Sequence, residues 1–183
     1  MNLYFRFFLL LLKRLASNEP ITLLSACSTR FRVTPLDLDL NFHMNNGRYF
    51  SIMDLGRFDL LLRTKTFWRL AKKGYYPVVS SESIRFKKSL ELLQSFDVVT
   101  KIEALDERDF YMSQTFIRGE RVVAEGVIKG RFLQRGRKGS VPSRELFELV
   151  GMEYPEQLMT DRAKLQKQME DALATQPAGS HPN

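Results

Sequence analysis

Residues 36–49 read Leu36-Asp37-Leu38-Asp39-Leu40-Asn41-Phe42-His43-Met44-Asn45-Asn46-Gly47-Arg48-Tyr49. In an extended chain successive side chains point to opposite sides. Leu36, Leu38, Leu40, Phe42 and Met44 then share one face, and Asp37, Asp39, Asn41 and His43 share the other. Aspartate and asparagine are poor strand formers, so the pattern predicts an irregular segment, anchored by its apolar face and presenting its polar face to a pocket. Asn45 and Asn46 can cap a helix that begins near Gly47. Its first turn offers free backbone N–H groups and a positive dipole end beside the carboxylates. Such carboxylates can be caps and nothing more. They can also belong to a site where amides polarise a carbonyl while a carboxylate attacks it or activates water. The residue types alone leave both uses open.

Downstream, Tyr49, Ile52, Met53, Gly56 and Leu60 recur at helical spacing, predicting a helix over 47–63. Gly56 weakens that helix, so another backbone is expected to approach closely there. A shorter helix over Thr66–Lys73 ends at Gly74, a C-terminal cap. Upstream, Thr29–Val33 alternates as a first strand should. Downstream of the helices, Tyr76–Lys87, Phe96–Ala104, Phe110–Ile117 and Arg121–Leu133 read as strands, with turns at 105–109 and 118–120. Strand, long helix and then four antiparallel strands make an α+β pattern. Beyond Gly139, Ser143–Val150 reads as a short helix, Pro155–Leu173 as an exposed amphipathic one, and Thr175–Asn183 as a disordered tail. The expected organisation is an N-terminal helix over 1–16, a main domain over 21–139, a helical extension over 140–174 and a tail over 175–183.

Of 183 residues 44% are apolar, enough to bury a core, but the chain has one cysteine, Cys27, and two histidines, His43 and His181. No disulfide forms within one chain, and a Cys/His zinc site lacks ligands. Chemistry therefore falls to carboxylates, backbone amides and one core histidine, with no metal or cofactor expected. The net charge of +7 is unevenly spread: residues 129–144 carry six basic groups and no acidic one, whereas residues from 145 onward carry three basic against seven acidic. A basic surface can favour nucleic acid, anionic lipid or a polyanionic small molecule. No nucleic-acid motif accompanies it, so no nucleic-acid partner is expected.

The N-terminus is the most hydrophobic stretch, yet Arg6 interrupts it and Lys13-Arg14 closes it, leaving an uncharged run of six residues. That is far short of the roughly 20 needed to span a bilayer. On a helical wheel Asn2, Arg6 and Lys13 share one narrow face, which suits a membrane interface or a groove on the protein's own body. Leu24-Ser25-Ala26-Cys27 looks like a lipoprotein cleavage box, but Lys13, Arg14 and the polar turn 17–20 separate it from the apolar run. Cys27 reads better as a strand residue.

The run from Asp37 through Asp39, Asn41, His43, Asn45 and Asn46 to Tyr49 resembles the signature of hotdog-fold acyl-thioesterases. These include the 4-hydroxybenzoyl-CoA thioesterase-like branch and the plant acyl-ACP thioesterases. About eight positions match in fixed spacing, and the likeness covers roughly residues 25–135. It implies an antiparallel sheet wrapped around a long central helix, pairing into a homodimer or a dimer of dimers. In the first branch Asp37 is the implied nucleophile or base, with an amide near Asn46–Tyr49 polarising the thioester carbonyl. In the second, Asp39, Asn41 and His43 are the implied triplet. Asn45, Asn46, Tyr49 and Asp54 are the implied substrate contacts, Asp54 being equally suited to an ion pair with Arg57. The N-terminal apolar helix also resembles that of membrane-associated members.

A thioester suits this residue set. Its carbonyl is activated and thiolate is a good leaving group, so a carboxylate and oriented amides can suffice. Coenzyme A carries phosphates that Arg85, Lys87, Lys88, Arg131, Arg135, Arg137 and Lys138 could receive. The leading expectation is hydrolysis of acyl-CoA with a fatty or other apolar acyl group, near the cytoplasmic face of a membrane. Acyl-ACP hydrolysis is the nearest rival, and a non-catalytic acyl-CoA-binding module the rival of another class. A hotdog enoyl-CoA hydratase fits less well, since Asn41-Phe42-His43 lacks that group's intervening proline and its extra residue.

Overall fold

The computed structural model describes residues 3–16, 21–156, 158–161, 163–165 and 167–168. In chain order these give α1 (Leu3–Ala16), β1 (Cys27–Arg32), a 3-10 turn (Pro35–Asp37), α2 (Asn46–Arg63), α3 (Thr66–Lys72), β2 (Tyr75–Phe86), β3 (Ser95–Leu105), β4 (Asp109–Arg118), β5 (Arg121–Gln134), β6 (Ser140–Val141) and α4 (Ser143–Val150). The strands form one antiparallel sheet in the order β1-β3-β4-β5-β2, with the short β6 beside β5.

The alternation read from the sequence becomes the sheet's two faces. Phe96, Val98 and Ile102 of β3, Met112 and Phe116 of β4 and Ala124 and Ile128 of β5 are buried in one core with Tyr49, Ile52, Met53 and Leu60 of α2. The periodic residues of the long helix thus lie against the sheet that wraps it. Tyr49 wedges between Phe86 and Phe116, with both ring centroids 5.0 Å away. On the other face Ala104 and Tyr111 are covered by Ala163, and Met159 bridges Ala104. Residues 155, 156 and 158–160 are therefore not the helix expected from Pro155 onward: 158–160 pair with the C-terminal end of β3, and helical backbone appears only from Asp161. The tail expected over 175–183 lies outside the described residues.

Gly56 does sit at a close approach, but to side chains rather than to a backbone. A Cβ there would stand 2.8 Å from Gln114 Nε2 and 2.9 Å from Thr100 Oγ1. Gln114 is buried and donates to the Met53 carbonyl and to Thr100 Oγ1, both at 2.9 Å. Gly74, at φ 72°, turns the chain from α3 into β2, its N–H donating to the Ala71 carbonyl.

α1 lies on the body against α2, held by two arginines. Arg14 donates to both oxygens of the fully buried Asp59 at 2.5 and 2.7 Å. Arg6, itself buried, donates to Asp37 Oδ2 and, at 3.2 Å, to Thr34 Oγ1 and the Arg32 carbonyl. Arg6 and Arg14 point inward, because two buried carboxylates on the body need partners, while Lys13, Tyr4, Phe5, Phe8, Leu9, Leu12 and Leu15 are exposed.

Candidate active site

The segment before α2 folds back on itself. Asp39 N–H donates to the His43 carbonyl at 2.8 Å, and Asn45 N–H donates to the Asp37 carbonyl at 2.8 Å. Met44 N–H donates to the Leu90 carbonyl at 2.7 Å, fastening the loop to the strand-free stretch before β3. Asn45 caps α2, its side chain accepting from Gly47 N–H at 2.9 Å. The caps and the helix start are as the sequence predicts, one residue early.

The loop's two faces are not. Met44 is buried and Leu38 half-buried, but Leu36, Leu40 and Phe42 are exposed, Leu40 at 98%. Asp37, expected on the presented face, is 1% exposed. A 3-10 turn at Pro35–Asp37 and a left-handed Phe42 (φ 58°) break the alternation. Asp37 turns inward as a result. Its Oδ2 accepts from Arg6, from Thr34 N–H at 2.8 Å and from Thr34 Oγ1 at 2.7 Å, and Arg48 Nε stands 4.0 Å from its other oxygen.

Asp39 is differently placed. It is half-buried, and one oxygen accepts from Asn41 N–H at 2.8 Å and from His43 N–H at 3.3 Å. Its second oxygen has no hydrogen-bond partner among the described residues, nor has the half-buried His43 ring. Asn41 and Asn46 are exposed beside them. The loop therefore brings Asp39, Asn41 and His43 together with the α2 N-terminus and buries Asp37 behind them. Tyr49 is a core residue, where burial pushes its phenol above the ordinary range against an opposing hydrogen bond with the Leu90 backbone. Arg85 on β2 and Lys87 just after it are exposed, Lys87 pairing with Glu125 at 2.8 Å.

Further along α2, Asp54 pairs with Arg57, as the i,i+3 spacing allows. Arg57 also donates to Glu82 of β2 at 2.8 Å and to Gln114 at 2.9 Å. Behind this cluster lies a cavity of about 150 Å³ between α2, α3, α4 and the sheet. Phe58, Leu61, Ile102, Phe110, Met112 and Phe147 are among its walls, and Asp54 and Arg57 are its charged groups. On α2, Asp54, Arg57 or Phe58, and Leu61 follow one another on the same helical stripe as Gly47, so the cavity and the motif share a face of the helix. Sequence reasoning missed the cavity and the reach of Arg57 to Glu82 and Gln114, since the lining comes from seven separated elements. Arg6 had a signal: a lone cation inside an apolar helix.

A helix wrapped by an antiparallel sheet, with this acidic loop at its N-terminus, defines the class. The chain belongs to the Thioesterase-like superfamily, whose profile matches residues 33–171, and the fold is the hotdog fold. It is 31% identical over 129 residues to Protein THEM6 of Xenopus laevis, covering 69% of this chain and 62% of that protein. It is 28% identical over 143 residues to Probable thioesterase YBR096W of Saccharomyces cerevisiae, covering 77% and 61%. The chain thus spans about three fifths of the length of these two curated relatives. Among solved structures it resembles the YbaW probable thioesterase of Escherichia coli, with TM-score 0.62, 21% identity, and 68% of this chain and 98% of that one covered. It also resembles a DHNA-CoA thioesterase of Staphylococcus aureus, with TM-score 0.62, 13% identity and coverage of 83% and 97%.

Proposed function

We propose that this protein hydrolyses acyl-CoA thioesters bearing a fatty or other apolar acyl group. The observation that carries the reading is the apolar cavity on the same stripe of α2 as the loop of Asp39, Asn41 and His43. An acyl chain would lie along α2 into that cavity, past Asp54 and Arg57, leaving its carbonyl near Asn46 at the helix N-terminus. There the dipole and amides favour the developing oxyanion. Asp39, whose second oxygen is uncommitted, takes a proton from water as the water oxygen bonds to the carbonyl carbon. The C–S bond then breaks and the departing thiolate takes that proton, giving a free acid and CoA. His43 and Asn41 orient the water and the carbonyl. Asp37, already engaged by Arg6 and Thr34, serves as the positioning residue that anchors the loop.

The reading includes a homodimer, for which β2 offers an edge: its strand partner among the described residues is β5 alone. It also includes peripheral contact with a membrane, on its cytoplasmic face, through residues 1–15. No helix among the described residues is long and apolar enough to cross one. Arg85 on β2 and Lys87 just after it, both exposed, suit the phosphates of CoA.

Purified protein is incubated with acyl-CoAs of graded chain length while free thiol is followed. Thiol release that falls about 10²–10⁴-fold in Asp39→Asn, with an unchanged melting temperature, supports the assignment. Activity undiminished in Asp39→Asn overturns it, release from acyl-ACP alone changes the carrier, and binding without release leaves an acyl-CoA-binding module.

A further inference from the structure

We propose that the membrane this protein meets is an anionic phospholipid bilayer, with α1 lying in the headgroup boundary and a lipid phosphate seated in the groove between α1 and β1. The proposal rests on the peripheral contact stated above and names its partner. A helix packed on a water-soluble body ordinarily turns its apolar stripe inward and its charges outward. α1 buries Leu10 and sets Phe7 against Phe58 of α2, ring centroids 5.2 Å apart, yet keeps a second apolar stripe on its outer side. Arg6 and Arg14 reach into the body, whereas Tyr4, Phe5, Phe8, Leu9, Leu12 and Leu15 face out. Over 14 residues, about 21 Å of helix, the exposed side holds no acidic group and one cation, Lys13. Contiguous apolar surface of this kind on a soluble body marks an interaction face.

The chemistry beside the helix selects the occupant. Between α1 and the edge strand β1 runs a groove of about 230 Å³ whose charged lining is Arg6, Lys13, Arg30 and Arg32, with Thr29 and Thr34 as hydroxyl groups. Asp37 answers Arg6, and Asp97 answers Arg30 at 2.9 Å. Arg32 donates from Nε to the Leu93 carbonyl at 2.8 Å, and neither it nor Lys13 has a carboxylate partner among the described residues. Two unmatched cations beside an apolar face fit a bilayer whose headgroups carry negative charge: apolar side chains enter the acyl boundary and cations meet phosphate. A second copy of the chain fits less well, because a twofold contact through this face brings two sets of the same unmatched cations into one interface.

The test is flotation of the full chain with vesicles of pure phosphatidylcholine and with vesicles containing phosphatidylglycerol, at low and high salt. The expected result is at least about tenfold more protein floating with the anionic vesicles, reduced by salt as screening requires. Phe8→Ser/Leu12→Ser should abolish flotation on both at an unchanged melting temperature. Lys13→Gln/Arg32→Gln should remove the preference for anionic vesicles. Equal flotation on both vesicle types would leave peripheral contact standing and overturn recognition of lipid charge. Absence of flotation on either overturns both. Self-association abolished by Phe8→Ser/Leu12→Ser, with no flotation of the parent chain, assigns the face to a second copy.

Discussion

The Arg6 guanidinium, on the N-terminal helix, donates a hydrogen bond to the carboxylate of Asp37, 31 residues further along the chain, and both side chains are almost wholly withdrawn from water. One contact thus ties α1 to the loop that feeds α2. Breaking a buried ion pair by removing one partner leaves the other charged and unsolvated, which costs about 3–5 kcal/mol. Arg6→Ala is expected to lower stability by that order in urea unfolding. Arg6→Ala/Asp37→Ala should lose less than the two single changes added together, because no orphaned charge remains. Additive losses would show that the two groups do not act as a pair.

Gly56 makes a second case in which a small change should be costly. A methyl group there meets Gln114 Nε2 and Thr100 Oγ1, and Gln114 cannot retreat without giving up its bonds to Met53, Thr100 and Arg57. Ordinarily glycine to alanine within a helix gains stability. Here overpacking at about 1–3 kcal/mol outweighs that gain, so Gly56→Ala should lower the melting temperature. The same change paired with Gln114→Ala should recover part of the loss.

How far the sequence could be read follows from the range of the interactions involved. The helix over 47–63 and the strand alternations were legible because period and capping are local: Asn45 caps α2 three atoms from its own backbone, and Phe96 and Val98 share a face by the geometry of any strand. Pairing residues 37 and 39 with His43 was legible as a motif. What was not legible was which aspartate turns inward, since that depends on Arg6, far upstream, and on a left-handed Phe42. The outward apolar face of α1 was hidden for the same reason. A helical wheel identifies a charged face, but Asp37 and Asp59, which draw Arg6 and Arg14 inward, lie on other elements. The cavity is likewise assembled from α2, α3, α4 and four strands, so no window of sequence contains it.

Cys27 gives the pH dependence a definite sign. Its thiol is buried, and burial pushes its pKa up, helped by the Asp59 carboxylate, whose Oδ2 is 3.8 Å away, and opposed by Arg63. The unfolded thiol ionises near about 8.5 and the folded one above that. Its contribution to stability is therefore fully present below about pH 8.5 and is lost as pH rises through the folded value. Tyr49, Tyr75, Tyr111 and Tyr154 are also shifted upward, but unfolded tyrosine titrates near about 10. Between those values the slope of stability against pH reports the thiol. Urea midpoints should fall across that interval in the parent chain and flatten in Cys27→Ala. A thiol reagent at pH 8 should label the native protein only as fast as it opens, and immediate labelling would contradict the burial.

The cavity makes the last prediction, on acyl selectivity. Leu146 of α4 is half-buried and lines the cavity with Phe147 and Val150. Enlarging it fills space that an acyl chain would use, and a half-buried side chain can accommodate the added volume better than a core one such as Phe147, which is 2% exposed. Leu146→Phe should therefore shift thiol release toward shorter acyl-CoAs, by a few methylene groups. Each methylene excluded from an apolar pocket is worth about 1–3 kcal/mol of discrimination, or roughly 10–200-fold in kcat/KM. The shortest substrates should be turned over at the parent rate, since the loop of Asp39 and His43 is untouched. A uniform loss across all chain lengths would place the acyl group elsewhere, and an unchanged profile would show that α4 does not bound its site.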